Sequence, residues 1–248
     1  MNSSIRPHRV GPGAPRGRVR CPIRRNRAYT SPVDGASITL IRHGETAGQS
    51  SIRLYGATDI PLSPVGLAQA RATAEHLAAR PIDLLVTSPL RRAHTFATCV
   101  QEAHPAAPPL EVIEAFREVD FGDWEGWTVD EVRDRDPEGH ARWIAEGHTF
   151  TYPNGSHRPS FAAGIRNAVP AAFAPGGRPR VPNLVAVLHK GVIKVILQAL
   201  LDHETPPNVP VDLASVHELK WQRGGWKMAA SNLTNHLPQA LHIPDIPG

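Results

Sequence analysis

Residues 37–46 read Ser-Ile-Thr-Leu-Ile-Arg-His-Gly-Glu-Thr. The stretch begins with a short apolar run, which Arg42 and His43 follow directly. A run this short and rich in β-branched residues is typical of a buried strand. Residues 184–189, Leu-Val-Ala-Val-Leu-His, repeat the pattern and end on His189. In an open α/β sheet, ligands bind just beyond the carboxyl ends of the strands. Two imidazoles delivered there, one of them beside an arginine, predict an enzyme site that binds an anion and performs nucleophilic chemistry on it.

Strand-like and helix-like segments alternate from residue 37 onward, which predicts an α/β fold with helices on both faces of the sheet. Ser63-Pro64 illustrates the helix signals, because serine is a favoured N-cap and proline is favoured at the first helical position. We therefore expect a single three-layer α/β/α domain with a mostly parallel central sheet. The predicted strands are 38–41, 83–87, 110–113 and 184–188, followed by a closing hairpin of 216–222 and 226–231. The predicted helices run from 64 to Pro81, over 90–103, over 128–147 in two pieces broken at Pro137, over 161–173 and over 192–201.

The positive charge of the chain is concentrated near its start. The sequence of 248 residues has a formal net charge of +4, whereas residues 1–36 hold eight arginines and a single acid, Asp34. The remainder therefore carries a small negative charge, so the basicity does not indicate a nucleic-acid partner. Residues 1–36 lack apolar periodicity and contain many prolines and glycines, which predicts a disordered basic leader. We expect the folded domain to span 37–237 and an irregular tail to cover 238–248.

The same leader bears on the location of the protein. It has no apolar core of the kind that a secretory signal needs, so we predict no export. A flexible tail, or a start codon assigned too far upstream, fits better than a transit peptide, because proline and glycine would interrupt an amphipathic helix. No stretch approaches eighteen consecutive apolar residues, so no membrane partner is expected. Cys21 and Cys99 form neither a disulfide framework nor a metal motif, and we expect a cytoplasmic monomer or homodimer.

The chemistry expected at the strand ends is phosphoryl transfer. An imidazole such as His43 can form a covalent intermediate that divides one difficult displacement into two easier ones. Neighbouring cations lower the pKa of the ring, which keeps it neutral, and they also bind the anionic substrate. Phosphoryl transfer depends mainly on positioning and on stabilising the charge of the equatorial oxygens. Three further residues at strand ends are expected to supply this stabilisation: Arg42, Arg92 and His189.

Five stretches of the sequence resemble one known family. Arg-His-Gly-Glu-Thr at 42–46 is similar to the signature of the histidine phosphatase superfamily, which includes cofactor-dependent phosphoglycerate mutases and many phosphatases. Four more stretches follow in the family order, and together the resemblance covers about residues 37–236. They are Tyr55–Ser63, Ser88–Ala93, Glu118–Gly126 and His189–Ile193.

The resemblance implies a phosphoglycerate mutase-like fold and a role for each of several residues. His43 would be the phosphorylated nucleophile, and Glu118 would be the general acid and then the general base. The phosphate pocket would be formed by Arg42, Arg92 and His189. No metal and no other cofactor would be needed. Asp120, close to Glu118 in the sequence, remains an alternative for the acid.

The sequence departs from the family pattern at three places. Gln49 stands where many relatives have a phosphate-contacting asparagine, and its amide is a candidate phosphate ligand with a longer reach. Lys190 replaces the usual glycine after the second histidine, and its ammonium either adds charge to the pocket or faces solvent. Residues 154–158, Asn-Gly-Ser-His-Arg, lack the carboxylate that many relatives carry in this region. Tyr55 and Lys190 are the candidate contacts to the rest of the substrate.

Three functions fit this sequence to different degrees. The stretch between Glu118 and His189 is short, which resembles the compact phosphatases rather than the mutases. The Phe-Gly-Asp-Trp-Glu-Gly run at 121–126 resembles α-ribazole phosphatases, although fructose-2,6-bisphosphatase-like enzymes share it. We therefore expect a phosphatase for a small-molecule phosphomonoester, with α-ribazole phosphate or a sugar phosphate as candidates. The alternatives are mutase-type phosphoryl transfer and a non-catalytic module that binds a phosphate ligand, which is disfavoured because the nucleophile and the pocket arginines are kept.

Overall fold

The computed structural model of the protein describes residues 35–174, 177–203 and 208–243. All of them belong to the compact unit Pro32–Gly248. The disorder predicted for residues 1–36 concerns a segment that lies almost wholly outside the described residues, and it stays a prediction. No helix among the described residues is both long enough and apolar enough to cross a membrane.

Six strands of the described residues form one mixed sheet with the order β3-β2-β4-β1-β5-β6. The first four in this order are parallel, β5 is antiparallel to β1, and β6 is antiparallel to β5. The mostly parallel sheet with a closing hairpin is therefore confirmed. The strands are β1 Ser37–Arg42, β2 Leu84–Thr87, β3 Leu110–Val112, β4 Asn183–Leu188, β5 Val216–Gln222 and β6 Gly225–Leu233.

The α-helices of the described residues cover both faces of this sheet, as predicted. Side chains alternate along a strand, so Ile38 and Leu40 of β1 pack on one face while Ile41 packs on the other. The first face is covered by α5 and α6, and the second by α1 and α2. The three-layer α/β/α arrangement is thus confirmed. The helices are α1 Pro64–Leu77, α2 Arg91–Ala103, α3 Val129–Arg135, α4 Pro137–Glu146, α5 Arg158–Phe173 and α6 Lys190–Leu200.

Side-chain capping begins three of the six α-helices of the described residues. The Ser63 hydroxyl accepts a hydrogen bond from the Gly66 N–H and begins α1. Asp136 ends α3, and its carboxylate accepts from the Gly139 N–H, so it also begins α4 at the predicted break. The predicted start of α5 at Phe161 was three residues late. Pro159 lies in the first turn of that helix, where no N–H is needed, so the helix begins at Arg158.

Two other details differ from the sequence-based expectations. The hairpin turn is formed by Arg223 and Gly224, both with positive φ (50° and 81°), and Gly225 already belongs to β6. The segment expected to be irregular contains a short 3₁₀ turn at Gln239–Leu241. This turn is tied to α1, because the Gln69 side-chain amide donates to the Leu241 carbonyl at 2.8 Å.

A third apolar cluster, apart from the two faces of the sheet, supports the loops that follow β3. It consists of stacked and edge-on aromatic rings around the buried Trp124, whose ring centroid lies 5.5 Å from that of Phe150. Val119 is part of this cluster and is buried, with Glu118 directly before it. Burial of these neighbours fixes the course of the loop that carries the predicted acid.

Candidate active site

The register of the sheet brings the two predicted histidines together. β1 and β4 are parallel neighbours in which Arg42 lies opposite Leu188, so His43 and His189 leave the sheet side by side. Their ring centroids are 5.1 Å apart and the rings are inclined at 65°. Both side chains are buried, with 4% and 0% exposure. The pairing predicted from two strand ends is therefore present in the fold.

The hydrogen bonding of His43 leaves one ring nitrogen available as a nucleophile. Nδ1 lies 2.7 Å from the Gly44 carbonyl oxygen. A carbonyl can only accept, so we assign the proton to Nδ1 and the lone pair to Nε2. Burial lowers the pKa of His43 well below 6.5, and the positive charges of Arg92 and then Arg42 lower it further. The ring is therefore neutral at physiological pH.

Glu45, which follows the signature histidine closely, has a structural task. The carboxylate is buried, and its Oε1 accepts from the Thr46 N–H at 2.8 Å and from the Ser50 hydroxyl at 3.0 Å. The Glu45 N–H in turn donates to the Gln69 side-chain oxygen at 2.8 Å. These bonds tie the loop after β1 to itself and to α1, so Glu45 orients the loop.

His189 is held by Ser88, a residue to which the sequence reasoning gave no role. The Ser88 hydroxyl lies 2.8 Å from His189 Nε2 and accepts from the Leu90 N–H at 3.2 Å. We assign the hydroxyl proton to the bond with Nε2, which puts the ring proton on Nδ1. Among the described residues, Nδ1 is buried and has no hydrogen-bond partner. Burial lowers the pKa of His189 well below 6.5, with smaller contributions from Arg92, His43 and Arg42.

Arg92 is fully buried and is fixed by backbone carbonyls. Its terminal nitrogens donate to the Gly56 carbonyl at 2.7 Å, the Thr58 carbonyl at 2.9 Å and the Tyr55 carbonyl at 3.3 Å. Its Nε is buried and finds no hydrogen-bond partner among the described residues. Burial lowers the pKa of Arg92, while the charges of Glu118 and other carboxylates oppose this change. The side chain is thus a fixed cation whose Nε is left without a protein partner among the described residues.

Arg42 is also buried, and it is anchored on a different loop. Its guanidinium donates to the Val211 carbonyl at 2.6 Å. The same loop holds the backbone on either side of the nucleophile, because the Arg42 N–H donates to the Ser215 carbonyl and the Ala214 N–H donates to the His43 carbonyl. The segment before β5 therefore supports both Arg42 and His43. No local sequence pattern indicates this contribution.

The side chain of Glu118 lies against the first residues of α6, close to His189. Its Oε2 accepts from the Gly191 N–H at 3.0 Å, and its Oε1 accepts from the Val119 N–H at 2.9 Å. A Cβ at position 191 would lie 2.5 Å from Oε1, so this approach requires glycine there. The carboxylate of the alternative acid, Asp120, instead accepts from the Gly122 N–H at 2.8 Å and closes a turn. The geometry favours Glu118 over Asp120.

Three weaker candidates have less defined positions. Gln49 is exposed and has a positive φ of 63°. The Tyr55 ring packs on the backbone of Gly48, where a Cβ would lie 2.5 Å from a ring carbon. Lys190 is half-buried as the first residue of α6. Contacts of Gln49, Tyr55 and Lys190 with substrate stay predictions.

The donor set of the site suits an anion. Its side chains are two arginines, two neutral imidazoles and the carboxylate of Glu118. Among the described residues, no group of three or more His, Cys, Asp or Glu side chains is arranged to hold a metal ion.

Comparison with known proteins agrees with this geometry. The family model of the histidine phosphatase superfamily (branch 1) matches residues 38–234. The chain belongs to this superfamily. The resemblance seen in the five sequence stretches is therefore confirmed, and the histidine phosphatase fold accounts for the six-stranded sheet of the described residues.

Several phosphatases are similar to the chain. Phosphoserine phosphatase 1 of Hydrogenobacter thermophilus is 36% identical over 120 residues, which are 48% of this chain and 55% of that protein. The adenosylcobalamin/alpha-ribazole phosphatase of Salmonella typhimurium is 27% identical over 187 residues, or 75% and 86% of the two chains. The structure of a mycobacterial glucosyl-3-phosphoglycerate phosphatase has a TM-score of 0.68 at 28% identity, covering 81% of this chain and all of the other. The chain spans about half the length of several curated relatives, between 44% and 55%.

Proposed function

We propose that the protein is a phosphatase that hydrolyses a small-molecule phosphomonoester through a phosphohistidine at His43. The observation that carries this proposal is a neutral, buried imidazole next to buried donors that the protein leaves without partners. These donors are His189 Nδ1 and Arg92 Nε, as far as the described residues extend. A buried donor without a partner costs about 1–3 kcal/mol. One of the two lies on the ring next to His43 and the other on an arginine whose charge acts on His43, so the fold is suited to an anionic ligand.

The first half of the reaction is attack by His43 Nε2 on the phosphorus atom. The bond from Nδ1 to the Gly44 carbonyl fixes the ring orientation and keeps the lone pair on Nε2. The phosphorus–oxygen bond to the leaving group breaks as the nitrogen–phosphorus bond forms. The equatorial oxygens then receive donors from Arg42, Arg92 and His189, which stabilise the charge of the transition state.

Glu118 supplies the protons of both halves. In the first half the carboxyl group gives its proton to the leaving oxygen. In the second half the resulting carboxylate takes a proton from water, which attacks phosphohistidine and releases inorganic phosphate and the neutral His43. The bond from the Gly191 N–H holds the carboxylate at the start of α6, beside His189.

The relatives and the site support this substrate class. The similar proteins are named for phosphoserine, α-ribazole phosphate and glucosyl-3-phosphoglycerate, which are all small phosphomonoesters. We propose α-ribazole phosphate and sugar phosphates as the first substrates to compare, by kcat/KM and alongside phosphoglycerates. A chelator should leave the rates unchanged, because this mechanism assigns no step to a metal. A cytoplasmic location and a monomeric or homodimeric state stay predictions.

The decisive experiment traps the intermediate. The enzyme is mixed with a labelled phosphomonoester, quenched rapidly in alkaline detergent and assayed for protein-bound label that acid releases. We expect label on the wild type and on His148→Ala, which changes an exposed histidine. His43→Ala should carry no label and should have no measurable turnover.

Three results would contradict the proposal. Normal turnover by a folded His43→Ala would remove the nucleophile from the mechanism. Transfer of the label back to a sugar or glycerate hydroxyl, with little release of inorganic phosphate, would instead identify mutase-type transfer. Binding of phosphate esters without turnover or label would identify a non-catalytic module.

A further inference from the structure

We propose that Glu125 is a positioning residue that holds Arg92 in place through the backbone of residues 55–58. This inference rests on the proposed function, since it assigns a support to the phosphate-binding arginine. Glu125 belongs to the Phe-Gly-Asp-Trp-Glu-Gly run, and the reaction outlined above gives it no task.

The Glu125 carboxylate accepts hydrogen bonds from several backbone N–H groups. One oxygen, Oε1, lies 3.0 Å from the nitrogens of Gly56, Ala57 and Phe121. The other oxygen, Oε2, lies 3.1 Å from the Gly56 nitrogen and 3.3 Å from the Thr58 nitrogen. A carboxylate with two oxygens has about four acceptor sites, and here they are used on four different N–H groups.

Three of residues 55–58 turn their carbonyl groups to Arg92. The guanidinium donates to the carbonyl oxygens of Tyr55, Gly56 and Thr58, as described above. Gly56 and Thr58 therefore bind the carboxylate with their N–H groups and the guanidinium with their carbonyl groups. Because hydrogen bonds in a chain polarise one another, a negative charge at one side strengthens the acceptors at the other.

The support acts through the backbone rather than through a direct ion pair. Among the described residues, no carboxylate oxygen lies within 4.0 Å of an Arg92 nitrogen. Removal of the Glu125 charge should therefore change the placement of residues 55–58 first and the guanidinium second.

The same carboxylate ties the arginine to the loop of the acid. The Phe121 N–H belongs to the loop that carries Glu118. Gly56 is pressed against this loop so closely that a Cβ there would lie 1.6 Å from the Val119 carbonyl oxygen. Glu125 thus fixes the distance between the phosphate-binding side of the site and the proton-donating side.

Glu125→Gln is the informative change, because it keeps the shape of the side chain. The amide has one acceptor oxygen, and its NH₂ group would face backbone N–H groups that are themselves donors. We expect residues 55–58 to shift and Arg92 to lose its fixed position. Misplacement of such a group by about 1 Å can cost about 100-fold in rate, so we expect kcat/KM to fall by about 10- to 100-fold.

The test is a double-mutant cycle of Glu125→Gln with Arg92→Ala, measured as the affinity for inorganic phosphate. Phosphate binding needs Arg92 but needs no turnover, so the result does not depend on hydrolysis. We expect Glu125→Gln to weaken phosphate binding at least 10-fold in the wild type and less than 3-fold in the Arg92→Ala background. Equal effects in both backgrounds would overturn the inference.

Two controls separate positioning from general stability. Glu131→Gln alters a carboxylate that caps α3 and should lower stability without changing phosphate affinity. Should Glu125→Gln fail to fold, Glu125→Asp serves instead, because it keeps the charge with a shorter reach. Its smaller loss of phosphate affinity must also disappear in the Arg92→Ala background. An active wild type with an additive cycle would refute only this inference, whereas an inactive wild type with a coupled cycle would refute only the proposed hydrolysis.

Discussion

Glu118→Gln should remove proton donation and one acceptor bond, because its NH₂ group would face the Val119 N–H that now donates to Oε1. The glutamine oxygen can still accept from the Gly191 N–H, whose bond to the carboxylate is 3.0 Å long. Exchange of a charged acceptor for a neutral one costs about 1 kcal/mol, or roughly fivefold in rate, for any substrate. Loss of the transferable proton costs about 10²–10⁴-fold, equal to about 3–5 kcal/mol, only where the leaving oxygen needs that proton.

The two losses can be distinguished by the leaving group. An aryl oxide leaves with little protonation, whereas an alkoxide does not. The assay compares kcat/KM of wild type and Glu118→Gln on one aryl and one alkyl phosphate. We expect a loss of about fivefold on the aryl ester and about 10²–10⁴-fold more on the alkyl ester. Asp120→Asn serves as the matched control, because that carboxylate closes a turn at Gly122.

Two outcomes would refute this reasoning. Equal losses on both esters would show that Glu118 contributes charge or shape but no proton. A loss confined to the alkyl ester in Asp120→Asn would move the acid two residues along the same loop. A lower melting temperature alone would decide nothing about the acid, so phosphate affinity and circular dichroism should accompany the rates.

The remaining predictions concern stability. Burial lowers the pKa of His217 to about 4 from 6.5, so the unfolded state binds more protons and stability falls as the pH drops from 6.5 towards 4. His217→Asn should reduce the loss of unfolding free energy between pH 7 and 5 by about 2 kcal/mol in urea titrations, whereas His148→Asn, at an exposed position, should not. Gln49→Asn should raise the melting temperature by about 1–4 °C, because asparagine tolerates the φ of 63° better than glutamine. An unchanged or lower melting temperature would show that the Gln49 side chain makes a stabilising contact.

The parts of the site that the sequence could predict are those fixed by strand ends. His43 and His189 directly follow apolar runs, and parallel neighbours in a sheet bring their carboxyl ends to one edge. Arg92 was predictable for a similar reason, since it follows β2 within the first turn of α2. Burial, pairing and the neutral state of the two rings all follow from this placement.

The supports of these residues were not predictable, because they are backbone groups from distant segments. The carbonyls of Val211 and Thr58, which anchor the two arginines, carry no sequence signal, since every residue has a carbonyl group. Ser88 and Glu125 did carry a signal in the sequence. Ser88 is a polar residue directly after a buried strand, and Glu125 is a charged residue among aromatic residues. Their partners are non-local, so only the fold could show which atoms they hold.

The choice of carbonyl partners for Arg92 has two consequences for the proposed reaction. A carboxylate at the same place would cancel the charge of the guanidinium and compete with the phosphate group. Carbonyl oxygens accept from the terminal nitrogens of Arg92 and leave its net positive charge in a buried site, where it is weakly screened. That charge attracts the substrate, and the same charges of Arg92 and Arg42 help to lower the pKa of His43. One electrostatic arrangement therefore both attracts the anion and keeps the nucleophile unprotonated.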